Sequence, residues 1–347
     1  MDIVFTLDYE LFLDDMTGTV KNSLIRPMQE VQKICEKHNF RFTIFVDAAY
    51  LHRLYELKEY YPSLEEDYKD TVNNIKWLVD LGHDIQLHIH PQWYYSNYDG
   101  KEWVLDWDHY KLSDMPRDYA FEMFGKSKDL LDSIIGYKTT LFRAGGFSIQ
   151  DFDYENCFKQ HGIIGDSSVL PGCKMKHKTH SYDYKKSKAR IYKFTKNIDS
   201  AQSDGIFWEF PISTAGPVNI IRYLSVKESW MAKTENRWGD GGNRPHTSLM
   251  SKIKSIISSF EFIKYPYGSI DHQCYFWLED VYKYSKKYDC MTVIGHPKNF
   301  SPSGFPYLER FIIEKKSKGD SIITLKDYIK KRTEPMPRNS AFIGNIK

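Results

Sequence analysis

The stretch GHDIQLHIHP, Gly82 to Pro91, decides how this chain is read. Glycine opens it, proline closes it, and a strand-like run lies between. Side chains two apart on a strand leave the same face. His88 and His90 therefore point one way, and Ile85, Leu87 and Ile89 point the other. Two imidazoles side by side suggest a metal pair, since histidine is the commonest metal ligand. A strand-end pair with no ligand is the other reading, and this stretch alone leaves both open.

Outward from this strand, short apolar runs alternate with amphipathic helical patterns. IVFTL (Ile3 to Leu7) reads as the first strand, followed by Leu24, Ile25, Met28, Val31 and Ile34 at helical spacing. RFTIFV (Arg41 to Val46) is the second strand. Ser63 and Glu66 have the spacing of a capping box ahead of a stripe of Val72, Ile75, Leu78 and Val79, and Gly82 is placed to end that helix. Further on, a helix is expected over Tyr119 to Ile135, a strand at TTLFRAG, a short helix over Asp151 to Gln160 and a strand at IIGDSSV. IFWEFPIS, CMTVIGH and a closing strand and helix in SIITLKDYIKK complete the series. About seven or eight strand–helix units favour an α/β barrel with a parallel sheet over two small sheets.

Barrel enzymes carry their reactive groups where strands end. Asp8 and Glu10 end the first strand, His88 and His90 the third, Arg143 the fourth, Asp166 the fifth and His296 a later one. Asp8 and Glu10 are two apart and share a face. Two imidazoles and a carboxylate around open positions make a catalytic metal site. Arg143 beside Asp8 would pair with and orient that carboxylate. Gly145 and Gly146 would let backbone approach a ligand closely. Asp166 reads either as a turn former or as the partner that orients His296.

Bulk properties narrow the classes. The 347 residues carry a formal net charge of +2, which argues against a nucleic-acid binder. Five cysteines at wide spacings (Cys35, Cys157, Cys173, Cys274 and Cys290) read as reduced thiols. The start MDIVFTLDYE has neither the basic residues nor the long apolar run of a secretory signal, and no stretch is long and apolar enough for a transmembrane segment. The expected location is the cytoplasm, with a peripheral position at the inner membrane surface as a variant. Two regions interrupt the pattern. Gly172 to Lys196 holds nine Lys or Arg among 25 residues, and Pro217 to Gln273 is long and rich in Gly, Trp, Arg and Ser. Long insertions in barrels are usually lids or substrate loops.

The ordered set TLDYE, GHDIQLHIHP, FRAGGFS, GIIGDSSV and VIGHPK resembles the polysaccharide deacetylase family, also called NodB-homology or carbohydrate esterase 4. Within it the chain looks closest to the cytoplasmic-type branch of surface-polysaccharide gene clusters. The resemblance runs from about Met1 to about Phe300. It implies a distorted (β/α)7 barrel with inserted loops: one domain over 1–332, insertions at about 172–205 and 217–273, and a tail over 333–347. It implies one divalent metal ion, Zn2+ in the first instance with Co2+, Mn2+ or Ni2+ as alternatives, and hydrolysis of an N-acetyl group on an amino sugar. Asp8 matches the catalytic base, His88 the first metal histidine, Arg143 the arginine that positions the base, and His296 the late general acid. Asp166 matches the acid that supports His296. Gly145, Gly146, Phe147, Trp93 and Glu209 are the candidate substrate contacts. Two departures mark this chain. Tyr9 stands where the family has a second aspartate, so Glu10 supplies the carboxylate ligand. Gln92 stands where the second metal histidine falls, so His90 replaces it. The expected partner is an N-acylated amino sugar, nucleotide- or lipid-linked, with no nucleic acid. The alternatives are a sugar N-deformylase or other C–N hydrolase on the same fold, or a catalytically inactive carbohydrate-binding protein.

Overall fold

Strand β1 (Asp2–Tyr9) sits beside β2 (Thr43–Asp47), β3 (Asp84–Ile89) follows β2, and each pair is parallel. The computed structural model describes residues 1–176, 179, 181–216, 237–242, 266–271 and 275–333. Two short hairpins stand off the main sheet: β4 (Asn97–Tyr98) with β5 (Trp103–Val104), and β8 (Lys174–Lys176) with β9 (Ser181–Asp183). The main sheet adds β6 (Leu141–Ala144), β7 (Gly165–Asp166), β10 (Tyr192–Phe194), β11 (Phe207–Glu209), β12 (Cys290–Val293) and β13 (Ser321–Ile322). Its order is β10-β11-β7-β6-β3-β2-β1-β12, with β13 also on β1. β1, β2, β3, β6, β7, β11 and β12 are parallel, while β10 runs antiparallel to β11.

The sheet curls until its ends meet. Past β11 the chain reaches β12 directly, with the Ser213 N–H donating to the Thr292 carbonyl at 2.9 Å. Residues 268–270 wedge into the same seam: Gly268 donates to the Ser213 carbonyl at 2.8 Å, and Ile294 to the Gly268 carbonyl at 2.9 Å. The expected α/β barrel architecture is the one observed, distorted at this seam.

Strand alternation divides the side chains as the sequence requires. Ile3, Phe5, Leu7, Ile85, Leu87 and Ile89 pack outward under the helices. Those helices are α1 (Arg26–His38), α2 (Ala48–Leu57), α3 (Pro62–Asp80), α4 (Arg117–Ile135) and α5 (Tyr154–His161). The inward face is layered. Val4, Phe45, Leu141 and Phe210 form an apolar floor, joined by Leu325 and Tyr328 from the last helix, Leu325–Thr333. Above the floor lie Thr6, Arg143 and Ser167, and above them the carboxylates and imidazoles at the strand ends.

Helix α3 begins differently from expectation. The Ser63 and Glu66 box is absent; Pro62 starts the helix at N1 and Tyr61 caps it without a side-chain bond. The Ser63 hydroxyl instead meets that of Tyr98 at 3.1 Å. Pro62 pre-sets the first helical φ, so no capping side chain is needed there. Gly82, at φ +82°, ends α3 as its sequence position foretold. Cys35, Cys157 and Cys290 are buried free thiols, Cys173 is buried, and Cys274 lies outside the described residues. Among the described residues no helix is long and apolar enough to cross a membrane.

His83, just ahead of β3, is a buried structural histidine. The Phe42 N–H donates to its Nδ1 at 3.1 Å, so its proton lies on Nε2, 2.9 Å from the Gln32 side-chain oxygen. Burial, helped by Arg41, pushes the imidazole down to about 4. The unfolded chain takes up this proton near pH 6.5 and the folded one near 4. Stability is therefore full above about pH 6.5 and falls with acid down to about pH 4, by about 3 kcal/mol. Urea unfolding across that window should show a shallower slope in His83→Leu than in the parent. Equal slopes would remove His83 from the acid response.

Candidate metal centre

Three elements bring one cluster together. β1 delivers Asp8 and, one residue past its end, Glu10; β3 delivers His88; and extended backbone at φ −105° and ψ 100° carries the same alternation on to His90. Glu10 Oε2 stands 3.0 Å from His88 Nε2 and 2.6 Å from His90 Nε2. One ligand atom from each of the three lies within 4.8 Å of the others, and all three side chains are buried. His88 Nδ1 donates to the Arg143 carbonyl at 2.8 Å, which turns Nε2 toward Glu10 as the nitrogen that would ligate a metal. The set fits a borderline divalent cation: two imidazole nitrogens and one carboxylate oxygen, with positions left open. His90 Nδ1 is buried without a hydrogen-bond partner, and Gly145 lies against it.

The electrostatics follow from burial and opposed charge. Burial alone would lower the His88 imidazole, yet the Asp8 and Glu10 carboxylates outweigh it and push it up to about 9. Burial would raise Glu10, but Lys298, His90 and His88 hold it well below the usual carboxylate range.

Arg143 is fully buried and its guanidinium is spoken for on every side. Nη1 donates to Asp8 Oδ1 at 2.5 Å, Nη2 to Thr6 Oγ1 and Ser167 Oγ at 3.0 and 2.8 Å, and Nε to the Ser167 carbonyl at 2.8 Å. The plane stacks 4.2 Å from the Phe45 ring. Asp8 Oδ2 is left facing two imidazoles, 4.0 Å from His88 Nε2 and 3.8 Å from His296 Nε2.

His296 is oriented by Asp271, a correction to the expected Asp166. The Asp271 carboxylate takes the His296 Nδ1 proton at 2.6 Å and its backbone N–H at 2.6 Å. Burial would lower the His296 imidazole, but Asp271, with Asp8 and Glu10 behind it, raises it. Asp166 is elsewhere, bonded to the Ser168 N–H and hydroxyl at 2.7 and 3.0 Å. It faces Glu209 across the β7–β11 register, both side chains fully buried. Burial raises both, and the neighbouring Asp166 charge raises Glu209 further, so Glu209 keeps its proton and donates it to Asp166. Glu209 is therefore held against Asp166 inside the barrel wall.

Trp93 is the second correction. It is fully buried, its Nε1–H donates to Asp47 Oδ2 at 2.8 Å, and it packs against Tyr50 and Trp103. Its ring belongs to the core. Gly145 and Gly146 are needed for close approach, but to protein rings: a Cβ on Gly145 would sit 2.5 Å from His90 Nδ1, and one on Gly146 2.6 Å from the Tyr110 ring. Gly146 and Phe147 both take the left-handed conformation, at φ +57° and +60°. Gly145→Ala should therefore tilt His90 off Glu10 and weaken metal binding about 10–100-fold. Chelator competition reads this, and unchanged affinity would mean that His90 is not a ligand.

Three functional neighbours escaped the sequence reading. Asp271 lies inside the stretch read as the second insertion, 217–273, where no strand pattern drew attention to it. Lys298, two residues past His296, is nearly buried and donates to Glu10 Oε1 at 2.7 Å and to the Leu11 carbonyl at 2.8 Å. Asp47 ends β2, the same signal that marked Asp8, and accepts from the His90 N–H at 3.2 Å. The basic segment reaches this end of the barrel: the Tyr184 hydroxyl donates to the Phe147 carbonyl at 2.6 Å, and Lys185, Lys186 and Lys188 line an adjoining open groove with Asp183, Asn197 and Asp199.

No family model matches the sequence, and no curated protein matches it. Among solved structures the chain is similar to one named as a polysaccharide deacetylase from Mycobacterium smegmatis, at 12% identity over 95% of this chain and 89% of that one, TM-score 0.48. It is similar to another so named from Pseudomonas aeruginosa PAO1, at 10% identity over 97% and 92%, TM-score 0.47. An allantoinase structure matches at 10% identity over 97% and 92%, TM-score 0.47. The first two carry the name of the family that the ordered sequence motifs resemble.

Proposed function

We propose that this protein is a divalent-metal-dependent hydrolase that removes an N-acyl group, acetyl in the first instance, from an amino sugar used to build surface polysaccharide or glycolipid. The observation that carries the reading is the gap at Asp8. Its free oxygen lies 3.8 Å from His296 Nε2 and 4.0 Å from His88 Nε2, beside the Glu10–His88–His90 donors. That space suits one small reacting group between a carboxylate and an oriented imidazole.

Each residue then has a task. A cation bound by Glu10, His88 and His90 supplies Lewis-acid polarisation of water and of the amide carbonyl. Asp8, oriented by Arg143, takes the proton from the attacking water. His296, its Nδ1–H fixed on Asp271, presents Nε2 to the nitrogen of the breaking amide and gives it a proton. An amine leaves poorly without one, so a group of this kind is required on the far side of the carbonyl from the base. The products are a free amino sugar and the carboxylic acid.

The groove of Lys185, Lys186 and Lys188 supports a nucleotide- or lipid-linked substrate, whose phosphates these cations would meet. Such a substrate would be a cytoplasmic precursor. The catalytic unit in this reading is residues 1–332, with 333–347 outside it.

The test is an assay for acetate and formate release from nucleotide-linked amino sugars and short N-acylated glycans, run with metal restored after chelation. Metal-dependent acetate release, lost in His88→Ala together with bound metal, supports the reading. Formate release would shift it to a deformylase. Metal bound at one per chain with no release from any substrate would favour a carbohydrate-binding protein.

A further inference from the structure

Lys298 occupies the oxygen-rich half of the metal centre. Glu10 offers two oxygens. Oε2 faces His88 and His90, and Oε1 carries the Lys298 ammonium at 2.7 Å. The same ammonium takes the Leu11 carbonyl at 2.8 Å and stands 5.2 Å from the Phe12 ring centre. Lys298 is 8% exposed, so this contact is a built one and not a surface pairing. Arg143 likewise takes one oxygen of Asp8. A cation entering the cluster therefore meets two imidazole nitrogens and a single oxygen of Glu10. Asp8 Oδ2, 4.0 Å from His88 Nε2, stays open beside it, while Glu10 Oε1 and the Leu11 carbonyl are held by Lys298.

Metal ions differ in what they ask of such a site. Zn2+ and its borderline neighbours accept imidazole with one carboxylate oxygen and tolerate low coordination numbers. Hard cations seek more oxygens: Ca2+ takes six to eight, often from a bidentate carboxylate and backbone carbonyls, and Mn2+ favours carboxylate and carbonyl oxygen over nitrogen. Glu10 Oε1 and the Leu11 carbonyl are such a pair, and a lysine stands where the hard cation would sit.

We propose that Lys298 is the selectivity residue of this centre: by sequestering Glu10 Oε1 and the Leu11 carbonyl it holds Glu10 to single-oxygen ligation and turns the site against oxygen-seeking cations. The inference rests on the metal-centre reading above and deepens it. Loss of the lysine charge strengthens every divalent cation alike, since it removes a repelling neighbour. Loss of its oxygen sequestration strengthens hard cations more. The ratio of affinities separates the two effects, and a lysine that merely supports the fold would leave that ratio unmoved.

The experiment measures dissociation constants for Zn2+ and Mn2+ by chelator competition on the metal-stripped full chain and on Lys298→Met, with circular dichroism checking the fold. In Lys298→Met the Zn2+ preference over Mn2+ should narrow by about tenfold, about 1.4 kcal/mol. Lys298→Arg, which keeps a cation on the same oxygens, should retain the parent ratio. If Lys298→Met does not fold, Lys298→Leu, apolar and without a donor, carries the same comparison. A parent that binds Zn2+ at one per chain with an unchanged ratio in the neutral variant overturns the role of Lys298 and leaves the metal centre standing. A parent that binds neither ion overturns both.

Discussion

Asp8→Asn is expected to lower turnover by about 10²–10⁴-fold, the usual weight of a positioned general base. The substitution is nearly isosteric, and its side-chain oxygen can still accept from Arg143 Nη1, the bond now made at 2.5 Å by Asp8 Oδ1. What it loses is the basic oxygen that faces His88 and His296 at 4.0 and 3.8 Å. Metal content should remain near that of the parent, because Glu10, His88 and His90 are untouched. KM should move far less than kcat, since an interaction made in the transition state is being removed. Steady-state kinetics beside metal analysis of the same preparation decides this. A variant with near-parental kcat would take Asp8 out of proton transfer, and one that also lost its metal would make Asp8 a ligand.

Arg143→Met should cost about 3–5 kcal/mol of stability, because removing one partner of a buried pair leaves the other charge uncompensated. Arg143 serves five acceptor contacts: Asp8, Thr6, both the hydroxyl and the carbonyl of Ser167, and the face of Phe45. Methionine fills the volume and satisfies none of these. Arg143→Lys should recover only part of the loss, since an ammonium cannot reproduce the planar fork that spans β1, β6 and the turn after β7. Chemical denaturation gives the measurement. A loss below about 1 kcal/mol would mean that the barrel repacks and that Arg143 acts at the reaction alone. Turnover should fall in both variants, because Asp8 loses the group that orients it.

Much of this architecture is written in local pattern. Alternation in residues 84–90 puts both histidines on the inner face, and the same alternation puts Asp8 and Glu10 beside them. The helical stripe that includes Met28, Val31 and Ile34 lands against the outside of the sheet. These readings succeed because a strand's period of two and a helix's of 3.6 are properties of the backbone itself. Trp93 shows where pattern stops helping. A tryptophan after a metal-like motif suits a sugar platform, yet its indole N–H is satisfied by Asp47 inside the core. Burial of an aromatic ring depends on what folds over it, and local sequence does not record that. Asp166 failed for the same reason. It ends a strand as the others do, but its neighbour in space is Glu209, and the two share a proton within the wall.

By itself the sequence determined the main parallel strands and several of the helices between them, though not the helices Ala48–Leu57 and Phe305–Ser317 or the two hairpins, together with the end of the barrel at which polar groups gather and the candidate set Asp8, Glu10, His88, His90, Arg143 and His296. The pairs Asp8/Glu10 and His88/His90 follow from spacing along one strand, and Arg143 and His296 from their places at strand ends. The tertiary structure alone decided which acid holds His296, where the Lys298 ammonium sits, and that Gly145 is small because His90 lies against it. Those contacts join residues 25 to 288 positions apart or pair through space what no backbone period relates. They are set by barrel closure, which brings the ends of β1, β3 and β12 to one mouth.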